Sequence, residues 1–446
     1  MKKLALLFII CLSCLLSAKA LGSTGDWTCS VALDGYVSSE TGKAPNAYMW
    51  VDEICEEVRF VVLAQQNMTE EALLRDASFR KEMTKLGGAL IWVAPWFSQD
   101  WAPQSGAQQV FEEMMVRLAG QSGHKELPDV PIVPFGHSAQ ATFPWNFAAW
   151  NPHRTLAIIS FHGDAPRTNL CGYGASNVEW GRTRNIDGIP GLMIEGEYEW
   201  WEARVRPALA FRMMYPESCI SLLCDAGSGH FDISEATIEY IALFIRKACE
   251  KRLCPNGTLQ PIVPRDGWFY GAPKGGKHEG DTITAFPTVL PGTWDDYEGC
   301  KHEAFWYFDE EMARLTHRRY EETDGKQLQH IGAYYKGHPI PRNKQGILEL
   351  NLTELSVGDL FTLEAVHTDS ALFVSQKEKE QSLHIEYICG PLRKLSGTTY
   401  EIIPYDCGMD NPRRYNSAWL ALVSDANNVK KRTVMPIKIN LRLKKE

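Results

Sequence analysis

Residues 131–140 read PIVPFGHSAQ and carry the strongest local signal in the sequence. The apolar run at 131–135 predicts a buried strand, and the segment at 139–150 that follows predicts a helix. A serine between such a strand and helix, here Ser138, sits in a sharp turn that exposes its hydroxyl at the strand's carboxyl end. The start of the helix behind it favours developing negative charge. The stretch therefore predicts an α/β architecture with Ser138 as a candidate nucleophile.

Around this stretch, apolar strand-like runs alternate with helix-like segments from residue 58 to residue 253. The predicted strands are 59–64, 89–94, 131–135, 156–160, 191–194 and 220–224. The predicted helices are 69–86, 107–119, 139–150, 200–214 and 235–252. Such alternation is typical of a mostly parallel sheet covered by helices on both faces.

Beyond residue 254 the pattern changes to short alternating runs separated by Gly- and Pro-rich turns, with one helix predicted at 309–320. These runs predict an antiparallel β-sandwich. The chain's 446 residues suit more than one folded domain. We expect a leader at 1–20, an α/β domain at 21–255 and a β-sandwich-like domain at 256–446.

The first twenty residues have the pattern of an export signal. Lys2 and Lys3 precede an apolar run at 4–16, and Ala18-Lys19-Ala20 has the small-x-small pattern of a cleavage site, with cleavage expected near Ala20. We expect an exported protein, periplasmic or extracellular, with no stable membrane span. The net charge of −9 argues against binding nucleic acid through its phosphates.

The strand–Gly136-x-Ser138–helix arrangement resembles the α/β-hydrolase superfamily, and the resemblance covers about residues 58–253. It implies the α/β-hydrolase fold, a serine nucleophile at Ser138 and no metal or organic cofactor. One residue departs from the pattern, because Gln140 takes a place that is usually filled by glycine or another small residue.

In this superfamily the nucleophile, the acid and the histidine follow one another along the chain. His230 lies on a Gly-rich loop between the predicted strand 220–224 and the last helix, where the general base belongs. The acid is expected at Glu199, whose Gly-x-x-Glu spacing looks like the family's Gly-x-x-Asp. Glu197 and Asp164 remain alternatives.

An oxyanion hole requires two backbone N–H donors. We expect one from Ala139, which follows the nucleophile. The other is expected from Gln66, with Gln65 as the alternative, in the loop after strand 59–64. Asn67 is expected to cap the following helix in a capping box with Glu70.

Aromatic and basic residues follow the predicted strand ends. Flat aromatic faces suit sugar rings, and guanidinium groups bind carboxylates such as those of uronic acids. The candidate substrate-binding residues are Trp96, Trp101, Trp180, Trp200 and Arg182, the last together with Arg167 and Arg184.

The sequences at 136–151 and 196–201 are also similar to exported α/β-hydrolases of polysaccharide-degrading gut bacteria of the Bacteroides type. This resemblance implies a secreted serine esterase that cleaves methyl or acetyl esters on a plant cell-wall glycan, most plausibly pectin. The β-sandwich is expected to extend the substrate platform or to brace the catalytic domain. Two alternatives remain, a lipase or polyester depolymerase and a non-catalytic glycan-binding protein on a hydrolase scaffold.

Overall fold

The protein is represented by a computed structural model. It describes residues 27–37, 42, 44–98, 101, 106–168, 180, 185–199, 201–225, 227–275, 283–321, 330–344, 346–367, 383–403, 417–424 and 432–443. The predicted export signal at 1–20 lies outside these residues, as do Trp200, Arg182 and Arg184.

An eight-stranded sheet forms the centre of the N-terminal part. Its strands are β1 (Cys29–Ala32), β2 (Asn46–Trp50), β3 (Phe60–Gln65), β4 (Gly88–Ala94), β5 (Ile132–His137), β6 (Ile158–Phe161), β7 (Pro190–Gly196) and β8 (Cys219–Asp225). They lie in the order β1-β2-β4-β3-β5-β6-β7-β8. Strand β2 is antiparallel to β1 and β4, and the pairs from β4–β3 to β7–β8 are parallel. The carboxyl ends of β3 and β5–β8 therefore meet at one edge of the sheet.

Helices cover both faces of this sheet. They are α1 (Glu70–Arg75), α2 (Ala77–Leu86), α3 (Ala107–Ser122), α4 (Thr142–Trp150), α5 (Trp201–Met214) and α6 (Glu235–Arg252). Neighbouring strand residues alternate between two hydrophobic cores, as Val61 and Val62 do. The predicted helix 69–86 is two helices, because the Asp76 carboxylate accepts the N–H of Phe79 and starts α2.

The chain from residue 268 to residue 321 packs with the large sheet. It contains β9 (Trp268–Gly271), β10 (Lys274–Gly275), β11 (Ile283–Ala285), β12 (Gly292–Thr293), β13 (Ala304–Tyr307) and α7 (Glu310–Glu321). The Tyr307 hydroxyl donates to the carbonyl of Leu222 in β8 at 2.7 Å, and Tyr307 belongs to the same hydrophobic core. These residues thus pack with the first unit although they follow residue 255, and the predicted division into domains stays a prediction.

Two further sheets pack face to face in the C-terminal part. Their strands are β14 (Ile331–Tyr335), β15 (His338–Pro339), β16 (Leu348–Leu355), β17 (Leu360–His367), β18 (Leu383–Cys389), β19 (Leu392–Ser396), β20 (Thr399–Ile402), β21 (Ser417–Ser424) and β22 (Thr433–Leu443). The sheet orders are β15-β14-β17-β20-β19 and β16-β22-β21-β18. Both sheets contribute to one hydrophobic core. All their strand pairs are antiparallel except β16–β22.

The predicted fold class, an α/β-hydrolase fold followed by a β-sandwich, is confirmed. The strand order, the antiparallel β2 and the parallel strands between two helix layers define the first part, and the paired sheets define the second. Among the described helices, none combines the length and apolar character that crossing a membrane requires.

Candidate active site

Ser138 stands at the turn between β5 and α4. Its φ of 54° is in the left-handed region, which is uncommon for a residue with a side chain. Two glycines allow the chain to turn this closely: a Cβ on Gly136 would lie 2.1 Å from the carbonyl oxygen of Gln140, and one on Gly163 would lie 2.0 Å from Cβ of Ala141. Gln140 is therefore compatible with the turn, because Gly136 and Gly163 supply the room.

Ser138, His230 and Glu199 come together from three different strand ends. Ser138 Oγ lies 2.6 Å from Nε2 of His230. His230 Nδ1 lies 2.5 Å from Oε2 of Glu199. The serine thus faces one nitrogen of the imidazole and the carboxylate faces the other, which is the arrangement that general-base activation of a serine requires.

Glu199 is held as a carboxylate by cationic and hydrogen-bonding neighbours. Its Oε1 accepts the N–H of Gly196 at 2.7 Å, and its Oε2 accepts from Nη1 of Arg204 at 2.9 Å. Burial alone would raise the pKa of Glu199, but His162, Arg204 and His230 hold this pKa well below its usual range.

The alternative acids have other partners. Asp164 Oδ1 lies 3.5 Å from Nε of Arg204, and Glu197 Oε2 accepts the N–H of Gly227 at 2.8 Å. A further carboxylate that the sequence did not single out, Glu195, accepts from Arg204 Nη1 at 2.8 Å. Burial raises the pKa of Glu195 despite this contact. Among these carboxylates Glu199 is the one in contact with His230.

Two buried histidines hold the backbone of His230. His137 Nε2 donates to the His230 carbonyl at 2.7 Å, and His162 Nδ1 donates to the same oxygen at 3.1 Å. Burial lowers the pKa of both, so that both imidazoles are neutral near pH 7. His137, His162 and His230 could in principle hold a metal ion. However, the nitrogens of His137 and His162 that face His230 are used as hydrogen-bond donors, so they carry no free lone pair for a metal.

The loop between β3 and α1 differs from the prediction. The N–H of Gln66 donates to the carbonyl of Val93 at 2.8 Å, so it belongs to the sheet and contradicts the prediction of Gln66 as an oxyanion donor. The alternative, Gln65, uses its side chain to bind the carbonyl of Ser98 and the N–H groups of Phe97 and Ser98. Ala139 is the middle residue of a short 3-10 turn (Ser138–Gln140), and its role as a donor stays a prediction.

Glu70 links this loop to the nucleophile turn. Its carboxyl accepts the N–H of His137 at 2.8 Å, of Met68 at 2.6 Å and of Asn67 at 3.2 Å. The last contact is half of the predicted capping box. The other half is wrong, because the helix begins at Glu70 with Thr69 as its N-cap residue. The Asn67 side chain instead donates from Nδ2 to the His137 carbonyl at 2.8 Å. Burial raises the pKa of Glu70 to about 8, although these three N–H groups and that of Glu70 itself lower it.

Two of the predicted substrate-binding tryptophans are buried. Trp101 is 0% exposed, and its ring meets an aromatic cluster formed by Phe97, Phe111, Phe143, Phe147 and Trp150. Trp180 is 3% exposed and donates from Nε1 to Asn146. Their ring faces are covered, which contradicts the predicted stacking on sugars. Trp96 is half-buried and stays a candidate.

Arg167, a further candidate for substrate binding, contacts aromatic residues. Its guanidinium donates to the Tyr215 hydroxyl and lies 5.9 Å from the ring centroid of Trp180. Arg167 is therefore engaged by aromatic residues of its own surroundings.

The sequence did not single out Arg204, although this residue contacts Glu199. Arg204 is five residues beyond Glu199 on α5, and nothing in its local sequence distinguishes it from an exposed helical arginine. His162 carried a weak signal, since it directly follows β6 and so lies at the same sheet edge as Ser138.

No protein-family model matches the sequence, and no curated protein matches it. Solved structures give weak matches. S-formylglutathione hydrolase FrmB from Staphylococcus aureus is 11% identical, with 49% of this chain and 97% of that chain covered and a TM-score of 0.34. Est1E from Butyrivibrio proteoclasticus is 17% identical, with 48% and 98% covered and a TM-score of 0.34. The assignment of the fold rests on the order and direction of the strands.

Proposed function

We propose that the protein is a serine esterase in which Ser138 is the nucleophile, His230 the general base and Glu199 the acid that orients His230. The observation that carries the proposal is the continuous contact from Ser138 Oγ through His230 to Glu199, with distances of 2.6 Å and 2.5 Å. The left-handed backbone of Ser138 at the carboxyl end of β5 further supports it.

In the first half of the reaction, His230 Nε2 takes the proton of Ser138 Oγ as this oxygen attacks the ester carbonyl carbon. The resulting imidazolium is stabilised by Glu199, which the contact with Arg204 keeps ionised despite its burial. The tetrahedral oxyanion is stabilised by backbone N–H donors, of which Ala139 is the proposed one. Collapse breaks the ester C–O bond, and His230 protonates the leaving alcohol, which leaves an acyl group on Ser138.

In the second half, water replaces the alcohol. His230 accepts a proton from this water as it attacks the acyl carbon, and it returns a proton to Ser138 Oγ as the acid is released. The same contacts serve both halves, and all steps proceed through side chains and backbone groups of this chain.

For the substrate, we propose a methyl or acetyl ester on a plant cell-wall glycan, with pectin as the leading candidate, and export directed by residues 1–20. This part rests on the resemblance of residues 136–151 and 196–201 to glycan esterases and on the half-buried ring of Trp96 near the carboxyl end of β4.

The test is a substrate screen with purified protein. Methyl-esterified pectin, acetylated pectin and acetylated xylan are incubated with the wild type and with Ser138→Ala, and released methanol and acetate are measured. Long-chain nitrophenyl esters and an aliphatic polyester are included to detect a lipase or depolymerase.

We expect release of methanol or acetate by the wild type. Ser138→Ala, with an unchanged circular dichroism spectrum, should be slower by about 10⁴- to 10⁶-fold. Comparable turnover by the folded Ser138→Ala protein would overturn the serine mechanism. Turnover of only the long-chain or polyester substrates would overturn the glycan assignment, and no turnover of any ester by the folded wild type would favour a glycan-binding role.

A further inference from the structure

The C-terminal β-sandwich contacts both loops that flank Ser138. Ile388, Cys389, Ala421 and Val423 form a small buried cluster on the β18–β21 side of the sandwich, and Met68, Phe231, Trp419 and Val434 pack against it. Met68 belongs to the loop between β3 and α1, and Phe231 directly follows His230. The sandwich therefore contacts both the loop between β3 and α1 and the loop that carries His230.

Arg432, which immediately precedes β22, makes the strongest contact with the loop that carries His230. Its guanidinium is buried and donates from Nη1 to the Gly227 carbonyl at 2.8 Å and to Ser228 Oγ at 3.0 Å. Nη2 donates to Asp232 Oδ2 at 2.8 Å. Arg432 thus binds the His230 loop both before and after the histidine.

Two further contacts make this loop rigid. The other carboxylate oxygen of Asp232 accepts the N–H of Gly229 at 2.8 Å. The ring of Phe231 stacks on Trp419 of β21, with ring centroids 4.9 Å apart and an angle of 16° between the planes. The sandwich therefore contacts the loop on both sides of His230. Arg432 binds Gly227 and Ser228 before the histidine, and the stack on Phe231 and the ion pair with Asp232 follow it.

Arg432 is the cationic partner of a buried carboxylate, that of Asp232. Asp232 is 1% exposed, and removal of Arg432 would leave its carboxylate buried without its cationic partner. Asp225 at the start of the loop also lies in the field of Arg432, together with Arg319. Loss of Arg432 is expected to make the loop rearrange until Asp232 reaches water.

We propose that Arg432 is a positioning residue for His230, and that the sandwich must be docked on the loop at 227–232 for the base to face Ser138. The proposal rests on the proposed esterase function. It assigns to the C-terminal part a role within catalysis, in place of that of an independent module. A tethered glycan-binding module would need no buried cation inside the loop that carries the base.

The test compares Arg432→Met and Arg432→Lys with a matched control in the full-length protein. Arg393→Met is the control, because Arg393 is an exposed arginine of the same sandwich that pairs with Glu401. Four quantities are measured: kcat and KM for nitrophenyl acetate, the proton resonance of His230 Nδ1, and the midpoint of thermal unfolding.

We expect Arg432→Met to lower kcat by about 100-fold with KM within about threefold, because a displacement of a reacting group by about 1 Å has an effect of this size. The His230 Nδ1 proton should broaden or disappear. Arg432→Lys keeps a cation beside Asp232 and should recover part of kcat. Arg393→Met should match the wild type in every measurement.

A folded Arg432→Met protein with wild-type kcat and an unchanged His230 resonance would overturn the proposal. If Arg432→Met does not fold, Trp419→Leu decides the question, since it removes the stack on Phe231 and leaves the buried charges in place. A several-fold loss of kcat at constant KM would then support the proposal, and an unchanged kcat and resonance would overturn it.

The two proposals fail in different ways. Absence of ester turnover by the wild type would remove the esterase function, and the His230 resonance in the same variants would still report whether Arg432 positions the loop. Normal turnover by Arg432→Met would remove the role of Arg432 and leave the esterase function intact.

Discussion

Glu199 and Glu70 are two buried carboxyl groups that differ in their hydrogen-bonding partners. Glu199 contacts the guanidinium of Arg204 and the imidazole of His230. Glu70, which begins α1, accepts backbone N–H groups of the preceding loop and of His137. The pKa of Glu199 lies well below its usual range, whereas burial raises that of Glu70 to about 8.

The difference shows that burial by itself does not determine the charge of a carboxyl group. Each side chain is almost inaccessible to solvent, at 1% and 0% exposure. A cationic partner compensates for burial at Glu199, and backbone N–H groups do so incompletely at Glu70. Glu199 is therefore ionised beside His230 near pH 7, and Glu70 is largely neutral.

The largest effect is expected from neutralising Glu199. Glu199→Gln should lower kcat by about 10³- to 10⁴-fold, because a neutral amide cannot stabilise the imidazolium and favours the wrong tautomer of His230. Asp164→Asn should lower kcat by at most about tenfold, since Asp164 contacts Arg204 and not the base. Steady-state kinetics on a small ester check both values, and the reverse ranking would make Asp164 the acid.

A smaller effect is expected from neutralising Glu70. Glu70→Gln should lower kcat by about tenfold, because the amide replaces one acceptor oxygen by a donor that faces backbone N–H groups and so shifts the loop relative to Ser138. Glu71→Gln is the matched control, since the neighbouring buried carboxylate pairs with Arg75 on its own helix. Equal losses in the two variants would show that Glu70 has no special relation to the nucleophile turn.

The smallest effect is expected in the pH dependence of the free energy of unfolding, which compares Glu70 directly with Glu199. Between pH 4.5 and about pH 8 the unfolded chain has released the proton of Glu70 while the folded chain retains it. This group therefore lowers the free energy of unfolding as the pH rises, by at most about 1.4 kcal/mol per pH unit. Glu70→Gln should remove this contribution.

Glu199 contributes with the opposite sign. Below pH 4.5 the unfolded chain takes up a proton that the folded carboxylate does not. The stabilisation by Glu199 is thus complete above pH 4.5 and is lost as the pH falls toward the folded pKa. Denaturant unfolding of the wild type, Glu70→Gln and Glu199→Gln from about pH 2.5 to about pH 9 measures both contributions. If the free energy of unfolding of the two variants depended on pH in the same way, the contrast between Glu199 and Glu70 would be contradicted.

The sequence alone predicts those features of the structure that depend on the order of strands and helices along the chain. The parallel strands place their carboxyl ends at one edge, so Ser138, His230 and Glu199 could be predicted from the strand that each one follows. Ser138 also carried a local signal in its strand–turn–helix setting.

The sequence does not predict features that depend on contacts between segments far apart in the chain. The N–H of Gln66 is occupied because β4 aligns Val93 with it. Trp101 is buried because aromatic residues of α3 and α4 surround it. Arg432 reaches the His230 loop from 200 residues along the chain, and no local pattern at either position indicates that contact.

The most direct test of the central claim, that Ser138 is activated by His230 and Glu199, is covalent labelling with a fluorophosphonate followed by peptide mass spectrometry. We predict one adduct, on the peptide that contains Ser138, no adduct in Ser138→Ala, and labelling slowed by at least about 100-fold in Glu199→Gln. An adduct on another residue of an active protein, or labelling of Ser138 at the wild-type rate in Glu199→Gln, would contradict the claim.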